Sequence, residues 1–297
     1  MFLAQALSDQ TLAHAYQKAR KMLRDAFGEQ SLATPDLDAR LLVAAACGVE
    51  DHAPLLDGGR ELSRIEWDII DGYIARRLKG EPVARILGEK AFWSHRFIVN
   101  ENTLVPRPET EGIVEEVLKW AINKGRQGDA LRIVDIGTGS GAILISLLRE
   151  LPEAIGFAVD VSKPALDVAI ENAARHKVGG RFFPVLSSYG AGLDGLFDVV
   201  VSNPPYIAGH ERDDLAVDVS DYDPNLALFA VNDGLAAFEE IIPWCRKHLV
   251  DDGFCMIEHG AKQSDAVLQI ASDNGFKRCE CVFDMANLPR FVKIVEN

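Results

Sequence analysis

Beyond residue 130, short apolar segments alternate with amphipathic ones, and this alternation constrains the fold more than any other feature of the sequence. The apolar segments predict four strands, at residues 131–135, 155–160, 198–202 and 253–258. The amphipathic segments predict helices at residues 140–150, 163–176 and 235–247. Because parallel strands need a helical crossover between them, the pattern predicts an α/β, Rossmann-like domain with a mostly parallel sheet.

A glycine-rich loop, Asp135-Ile-Gly-Thr-Gly-Ser-Gly141, follows the first predicted strand. Glycines let the backbone turn tightly and approach a ligand that a Cβ would keep away. The next predicted strand ends with Asp160, an acid placed to accept hydrogen bonds from ribose hydroxyls. The G-x-G-x-G spacing argues against a dinucleotide, and no G-K-[ST] is present for a nucleoside triphosphate. S-adenosylmethionine, which contains a nucleoside but no phosphate, fits this pattern.

A second motif, Asn203-Pro-Pro-Tyr206, follows the predicted strand at residues 198–202. Consecutive prolines have no amide hydrogen, so they stiffen the backbone and leave carbonyls free. The Asn203 amide oxygen and a main-chain carbonyl can then accept both protons of a planar NH2 group, with the Tyr206 ring against its flat face. This arrangement suits an enzyme that orients an amide or exocyclic amine nitrogen towards an electrophilic methyl group.

The first 80 residues have a different pattern, which predicts a small all-α bundle. Ser63-Arg-Ile-Glu66 is a capping box that starts a helix. We expect this helix to bury one stripe of residues at roughly helical spacing: Ile65, Ile69, Tyr73 and Leu78. Residues 81–107 are rich in β-branched and aromatic residues and predict a β-hairpin linker, so the catalytic domain is expected at residues 108–297.

Composition narrows the class of protein. The chain has 297 residues, 48% of them hydrophobic, which is enough for sizeable cores without disulfides or a metal. The formal charge of −14 disfavours sequence-blind binding to a phosphate backbone. Five cysteines form no C-x-x-C pair, and neither a signal peptide nor a bilayer-length apolar run is evident. We therefore expect a cytoplasmic protein with reduced thiols and no membrane association.

Taken together, these residues resemble the class I, S-adenosylmethionine-dependent methyltransferases that act on planar NH2 groups. Four tracts resemble more closely the peptide chain release factor glutamine methyltransferases, the PrmC/HemK family: residues 104–111, 135–141, 201–207 and 257–260. The resemblance covers nearly the whole chain. It implies methylation of the glutamine side-chain amide in the Gly-Gly-Gln tripeptide of class 1 release factors. It also implies a substrate-recognition role for residues 1–80, and we expect a monomer.

The resemblance also implies roles for individual residues. The cofactor would be held by the glycine loop, the ribose-binding acid and the residues near adenine: Gly137, Thr138, Gly139, Ser140, Gly141, Asp160, Ser188, Tyr189 and Asn203. Catalysis would depend on Asn203, Pro204 and Tyr206. The substrate would contact these three residues and also Pro205, Arg107 and Glu111.

Two positions depart from the family pattern. Ser188 stands where an acid commonly precedes the adenine-facing aromatic residue, here Tyr189, which predicts a weaker contact with the adenine amine. Asn287 stands where glycine is usual, and because asparagine tolerates positive φ we expect the turn to persist. The sequence has no H-E-x-x-H motif and no spaced Cys/His cluster, so Glu258 and His259 are predicted to be structural and no metal is expected.

Three alternative functions stay open at this point. A sister enzyme methylates a glutamine of a large-subunit ribosomal protein, but its counterpart of the Arg-Pro-Glu-Thr-Glu stretch usually reads differently. N6-adenine methyltransferases of DNA or RNA share the Asn-Pro-Pro-Tyr turn, but the acidic charge and the lack of a basic tract disfavour a nucleic-acid substrate. A non-enzymatic adaptor would bind the cofactor without transfer, and the intact turn argues against it.

Overall fold

The computed structural model describes residues 10–27 and 34–296. The chain forms two compact units, Met1–Gly88 and Glu89–Asn297, and each is described separately. The division predicted from the sequence, at residues 80 and 107, stays a prediction. Among the described residues, every helix is too short or too polar to span a membrane.

The first unit is helical. Its helices are α1 (Leu12–Phe27), α2 (Pro35–Ala46), α3 (Ala53–Leu56), α4 (Arg64–Arg77) and α5 (Val83–Leu87). Its core is formed mainly by aliphatic side chains of α1, α2 and α4: Leu12, Leu23, Leu42, Val43, Ile70 and Ile74. Asp38 and Arg77 form an ion pair of 2.8 Å between α2 and α4, and both side chains are buried.

The predicted capping box of α4 is present, but the predicted buried stripe is only half right: Tyr73 and Leu78 pack against the core, whereas Ile65 and Ile69 are exposed. The Glu66 carboxylate accepts from the Ser63 amide at 2.7 Å, and the Ser63 hydroxyl accepts from the Glu66 amide at 3.3 Å. Ile65 is 72% exposed, whereas Ile70 is 2% exposed. The helix is rotated because Ile70, Ile74 and Arg77 share one face, and the Arg77 ion pair holds that face against α2.

The second unit is an α/β domain. Its strands are β1 (Glu89–Phe92), β2 (His95–Ile98), β3 (Arg132–Ile136), β4 (Ile155–Asp160), β5 (Phe182–Leu186), β6 (Phe197–Ser202), β7 (Ile207–Ala208), β8 (Phe229–Ala230), β9 (Leu249–Glu258), β10 (Cys279–Phe283) and β11 (Pro289–Val295). Its helices are α6 (Glu111–Asn123), α7 (Ala142–Glu150), α8 (Lys163–Arg175), α9 (Val217–Ser220), α10 (Asn225–Leu228), α11 (Ala236–His248) and α12 (Ser264–Asp273). Short 3-10 turns lie at Pro108–Thr110, Gly179–Arg181 and Gly209–Asp214.

Seven of the described strands form the central sheet, in the order β10-β11-β9-β6-β3-β4-β5. The strands β9, β6, β3, β4 and β5 are parallel. At one edge, β11 pairs antiparallel with β9, and β10 pairs antiparallel with β11. Helices α6 to α8 cover one apolar face, and α11 and α12 contribute to the apolar cluster on the other. The predicted mostly parallel α/β sheet is therefore confirmed.

The order of the strands reverses between β3 and β6. From β3 the chain runs outwards through β4 and β5, and it then returns to the other side of β3 as β6. Ile136 at the end of β3 is paired with Ser202 at the end of β6. Ligands of open α/β sheets bind beyond the carboxyl ends of the strands at such a reversal. The glycine loop and the Asn-Pro-Pro-Tyr turn both begin there.

The hairpin β1–β2 packs on this same domain through a buried asparagine. The Asn172 side chain accepts from the Ile98 amide at 2.8 Å and donates to the Ile98 carbonyl at 3.0 Å. It also donates to the Ser140 carbonyl of the glycine loop at 2.9 Å. One side chain of α8 thus ties the hairpin to the glycine loop.

Candidate active site

The glycine loop adopts a conformation that only glycine accommodates without strain. Gly137, Gly139 and Gly141 have φ values of +74°, +55° and +80°. A Cβ on Gly141 would lie 2.8 Å from the Ile145 side chain. The amides of Gly137 and Thr138 both donate to the Val159 carbonyl at 2.9 Å, which holds the loop against the end of β4. The loop is thereby fixed before any ligand binds.

Two aspartates support the loop. Asp135 is fully buried, accepts from the Thr138 hydroxyl at 2.7 Å, and has its pKa raised to about 7 by burial. Asp160 accepts from the amides of Gly139 and Ser162, both at 2.9 Å, and burial raises its pKa. A carboxylate has about four acceptor positions. Asp160 therefore keeps capacity for further donors on the side where it lines a cavity.

The first cavity has a volume of about 420 Å³, within the range of about 300–1,000 Å³ that is usual for small-molecule sites. Most of the predicted cofactor residues line it: Gly137, Thr138, Gly139, Ser140, Asp160, Ser188, Tyr189 and Asn203. Gly141 does not line it but forms the turn into α7. Glycine backbone on one side, a carboxylate and an aromatic ring fit the amino acid, ribose and adenine parts of S-adenosylmethionine.

Tyr189 lies in the segment after β5, on the wall of the first cavity. Its φ is +47°, a left-handed conformation that is uncommon for an aromatic residue. Its ring is partly buried against the apolar cluster of the sheet, and burial raises the pKa of its hydroxyl. Ser187 and Ser188 line the cavity beside it.

A second, smaller cavity of about 210 Å³ adjoins the first. It is lined mainly by apolar groups: Leu104, Arg107, Asn203, Pro204, Tyr206, Ile207, Val219, Ala227 and Leu228. Asn203 and Pro204 line both cavities, whereas Tyr206 lines the second and Pro205 the first. The two cavities therefore meet at the turn that follows β6.

A buried hydrogen-bond network that was not predicted from the sequence lies behind this turn. The Asn203 Nδ2 donates to the Thr110 hydroxyl at 3.1 Å, and the Thr110 hydroxyl donates to Glu258 Oε2 at 2.7 Å. The Tyr206 hydroxyl donates to Glu258 Oε1 at 3.1 Å. Burial raises the pKa of Glu258 to about 7 and raises that of the Tyr206 hydroxyl, which stays protonated. Glu258 thus contacts the Asn-Pro-Pro-Tyr turn directly through Tyr206 and indirectly through Thr110.

The structure places the two predicted substrate residues of the 104–111 tract differently. Arg107 lines the second cavity and forms an ion pair of 2.8 Å with Asp223. The Glu111 carboxylate accepts from the Trp93 amide at 2.8 Å, so it holds the tip of the hairpin β1–β2. A substrate contact by Glu111 stays a prediction.

Asp223, at the end of the acidic segment 213–223, is buried and paired. The Asp223 side chain is 1% exposed and accepts from the Val105 amide as well as from Arg107. The segment continues into α10, where Leu226 and Ala227 line the first cavity. Asp223 therefore links α10, which lines the first cavity, to the 104–111 tract through Val105 and Arg107.

Glu258 and His259 show no sign of a metal site in the part of the chain that the structure describes, where no group of three metal-ligating side chains occurs. The His259 Nδ1 donates to the Gly260 carbonyl at 2.8 Å, and burial lowers the pKa of the ring. The predicted positive φ of Asn287 is present, at +58°.

Comparisons with known proteins agree with this architecture. Residues 14–88 match the family model of the PrmC N-terminal domain, and residues 118–219 match that of the methyltransferase small domain. The chain is 40% identical to a release factor glutamine methyltransferase of Bradyrhizobium diazoefficiens, over 87% of this chain and 86% of that one. It is 39% identical to one of Caulobacter vibrioides, over 97% of each chain.

Solved structures show the same fold at low sequence identity. The hMettl16 catalytic domain, in complex with MAT2A 3′UTR hairpin 6, superposes with a TM-score of 0.54 at 17% identity, over 67% of this chain and 74% of that one. A methyltransferase of Pyrococcus furiosus superposes with a TM-score of 0.50 at 16% identity, over 76% and 99%. At such identities the likeness shows the fold alone.

The sheet order, with a cofactor cavity at its reversal point, is that of the class I methyltransferases, which take their methyl group from S-adenosylmethionine. Within this class, identity of about 40% over most of both chains is decisive. The chain belongs to the release factor glutamine methyltransferase family.

Proposed function

We propose that this protein methylates the side-chain amide nitrogen of the glutamine in the Gly-Gly-Gln tripeptide of class 1 peptide chain release factors. The observation that carries the proposal is that two cavities meet at Asn203 and Pro204. One cavity suits the methyl donor and the other a short planar side chain. The names of the relatives supply the class of protein substrate.

The residues of the first cavity hold the cofactor in this proposal. The Gly137–Gly141 backbone encloses its methionine part, the Asp160 carboxylate accepts from its ribose hydroxyls, and Tyr189 lies against its adenine. Ser188 is available to the adenine amine as a neutral partner. When bound, S-adenosylmethionine supplies an electrophilic methyl group.

The residues of the second cavity orient the glutamine amide. Its nitrogen is a poor nucleophile, because its lone pair is delocalised into the carbonyl. The Asn203 Oδ1 and a main-chain carbonyl of the 203–206 turn accept its two protons, and the Tyr206 ring lies against its plane. As the nitrogen bonds to the methyl group, the bond between that methyl and the donor sulfur breaks, and one amide proton is released to solvent. The residues act through position and electrostatics rather than as a strong base.

The environment of the second cavity favours an uncharged substrate group. Its walls are mainly apolar, and the Arg107 charge is paired with Asp223.

We further propose that Arg107, Pro205 and Glu111 shape the approach of the peptide. We also propose that the protein acts as a cytoplasmic monomer, that it does not associate with a membrane, and that its substrate is not a nucleic acid. The net charge of −14 supports the exclusion of nucleic acid.

The test is incubation of the protein with S-adenosylmethionine and an unmodified class 1 release factor, followed by peptide mass spectrometry. We expect one added methyl group on the glutamine of the Gly-Gly-Gln tripeptide. Asn203→Ala is expected to abolish transfer while it leaves the cofactor dissociation constant within about threefold, because Asp160 and the glycine loop are intact. Asn123→Ala, at the exposed end of α6, is the matched control.

Two results would count against the proposal. Normal turnover by Asn203→Ala would exclude the assigned role of the turn. Cofactor binding without methylation of the release factor would exclude the assigned substrate, and a ribosomal-protein glutamine and an adenine base would then be assayed in that order.

A further inference from the structure

We propose that Thr110 and Glu258 are positioning residues that fix which end of the Asn203 side-chain amide faces the substrate. The inference rests on the proposed function, since it concerns the acceptor that holds the glutamine NH2 group. Neither residue belongs to the Asn-Pro-Pro-Tyr turn. They reach it from the 3-10 turn before α6 and from the end of β9, so three distant parts of the chain meet at this point.

The orientation follows from the chemistry of a carboxylate. An ionised carboxylate only accepts hydrogen bonds, so the Thr110 hydroxyl, 2.7 Å from Glu258 Oε2, must donate to it. A hydroxyl has a single proton. The Thr110 oxygen can therefore only accept from Asn203, which turns the Asn203 NH2 group towards Thr110 at 3.1 Å. The Asn203 Oδ1 then lies at the other end of the planar amide group, away from Thr110.

This polarity matters because the two ends of an asparagine amide have almost the same shape. A flipped Asn203 would present its own NH2 group to the NH2 group of a substrate amide. Two donors would then face each other, and the acceptor that orients the nitrogen would be lost. A buried partner of defined polarity prevents the flip.

The same carboxylate holds the aromatic wall. The Tyr206 hydroxyl donates to Glu258 Oε1 at 3.1 Å, and the Tyr206 carbonyl accepts from Gln263 Nε2 at 2.9 Å. Tyr206 is therefore fixed at its ring end and at its backbone. One buried acid sets both the amide polarity and the position of the ring.

The proposal implies a pH dependence, because a protonated Glu258 can donate and no longer forces Thr110 to do so. Burial raises the pKa of this carboxyl to about 7. The charged and titratable groups that act on it are Arg290, which lowers its pKa, Glu109, which raises it, and the Tyr206 hydroxyl, which stays protonated. His259, next along the chain, has its pKa lowered by burial. We therefore expect the rate of transfer to fall as the pH decreases from 8 to 6.

The experiment compares Thr110→Val, Thr110→Ser and Glu258→Gln with the wild-type protein. Single-turnover methylation of a class 1 release factor gives the rate, and calorimetry gives the cofactor dissociation constant. Thr110→Val and Glu258→Gln are expected to lower the rate by about 10- to 100-fold and to change cofactor affinity by less than about threefold. Thr110→Ser keeps the hydroxyl and is expected to stay within about threefold of wild type. Glu171→Gln, at an exposed position of α8, is the matched loss of charge.

Two further readouts distinguish positioning from a general effect on folding. The decline in rate from pH 8 to pH 6 should disappear in Glu258→Gln and persist in Glu171→Gln. In amide NMR spectra, the Asn203 side-chain NH2 signal is assigned by its absence from Asn203→Ala. Its exchange with solvent should accelerate at least about tenfold in Thr110→Val and stay unchanged in Thr110→Ser.

The outcomes separate the two proposals. If the wild-type protein methylates the release factor while Thr110→Val and Glu258→Gln remain within threefold of it, the positioning role is overturned and the proposed function stands. If the wild-type protein transfers no methyl group, the proposed function fails, and the NMR readout alone decides the positioning role. An Asn203 signal that is the same in Thr110→Val as in wild type overturns it.

Discussion

Three acidic side chains lie at or near the carboxyl ends of parallel strands in the second unit: Asp135, Asp160 and Glu258. Their partners are, respectively, a threonine hydroxyl, two backbone amides and two hydroxyls. Because an ionised carboxylate only accepts hydrogen bonds, each acid orients the N–H or O–H groups around it towards its oxygens. Asp160 also lines the first cavity, which makes it the acid whose loss should affect a ligand most directly.

Asp160→Ala is expected to raise the dissociation constant of S-adenosylmethionine by about 10- to 100-fold, as measured by calorimetry. Hydrogen bonds to a charged group contribute about 1.5–3 kcal/mol, and this variant also removes the acceptor that holds the Gly139 amide. Asp167→Ala, at an exposed position of α8, is the control, and its affinity should match that of wild type. An unchanged dissociation constant in Asp160→Ala would show that this acid does not contact the cofactor.

At the scale of single residues, the sequence was informative wherever a motif is local. The glycine loop and the Asn-Pro-Pro-Tyr turn could be placed because their geometry depends on a few consecutive residues. The Thr110–Glu258 hydrogen bond joins residues that are 148 positions apart, and no local pattern signals such a contact. The structural role predicted for Glu258 stays a prediction, but its hydrogen bond to the turn that lines both cavities could not be foreseen.

At the scale of elements, the predicted strands and helices of the sheet centre agree with the structure to within a few residues. Their apolar runs are largely buried, and Gly137 follows β3 directly. The strands β5, β10 and β11 were not predicted. Strands β5 and β10 are edge strands with exposed positions, and β5 contains Pro184, which is tolerated at an edge. Half-buried edge strands have a weaker pattern of hydrophobic residues in the sequence than the buried strands at the centre of the sheet.

Gly234 lies against the backbone of the Asn-Pro-Pro-Tyr turn. Gly234 has φ +82°, and a Cβ there would lie 2.2 Å from the Tyr206 carbonyl oxygen. Gly234→Ala must therefore move Tyr206 and break its hydrogen bond from Gln263. We expect the rate of methyl transfer to fall by about tenfold or more, since small displacements of a catalytic group are costly. Cofactor affinity should be retained, because Gly234 does not line the first cavity.

The control for this prediction is Gly209→Ala. A Cβ on Gly209 would meet no atom within 4 Å, and its φ is not in the left-handed region. Its kinetics should match those of wild type in the same assay. Equal rates in Gly234→Ala and Gly209→Ala would mean that the Tyr206 backbone can shift without consequence.

At the scale of the whole molecule, the first unit carries exposed apolar side chains that its own core does not use. Leu56 is 79% exposed and Ile65 is 72% exposed. If residues 1–80 recognise the protein substrate, as the family resemblance implies, Leu56→Asp should raise the KM for a full-length release factor about fivefold or more and leave that for a Gly-Gly-Gln peptide unchanged. Ile122→Asp, at an exposed position of α6, is the control. Equal effects on protein and peptide would contradict the recognition role.

The buried carboxyl of Asp135 should make the free energy of unfolding depend on pH. Burial raises the pKa of this carboxyl to about 7, far above about 3.9 in an unfolded chain. Well below pH 4 it is protonated in both states and has no effect on stability. As the pH rises from 4 through 7, the unfolded state ionises first, so the folded state loses stability relative to it.

Asp135→Asn removes this charge and keeps an oxygen that can accept from the Thr138 hydroxyl. Burial of the new amide changes the free energy of unfolding by an amount that does not depend on pH. The informative quantity is therefore how the difference in this free energy between variant and wild type changes with pH. A shift of about three pKa units corresponds to about 4 kcal/mol at most. We therefore expect the free energy of unfolding of Asp135→Asn, from urea titrations, to rise relative to wild type by a few kcal/mol between pH 5 and pH 8. Glu258 titrates in both proteins, so its contribution cancels. A difference that is constant with pH would mean that Asp135 is not buried as a charge.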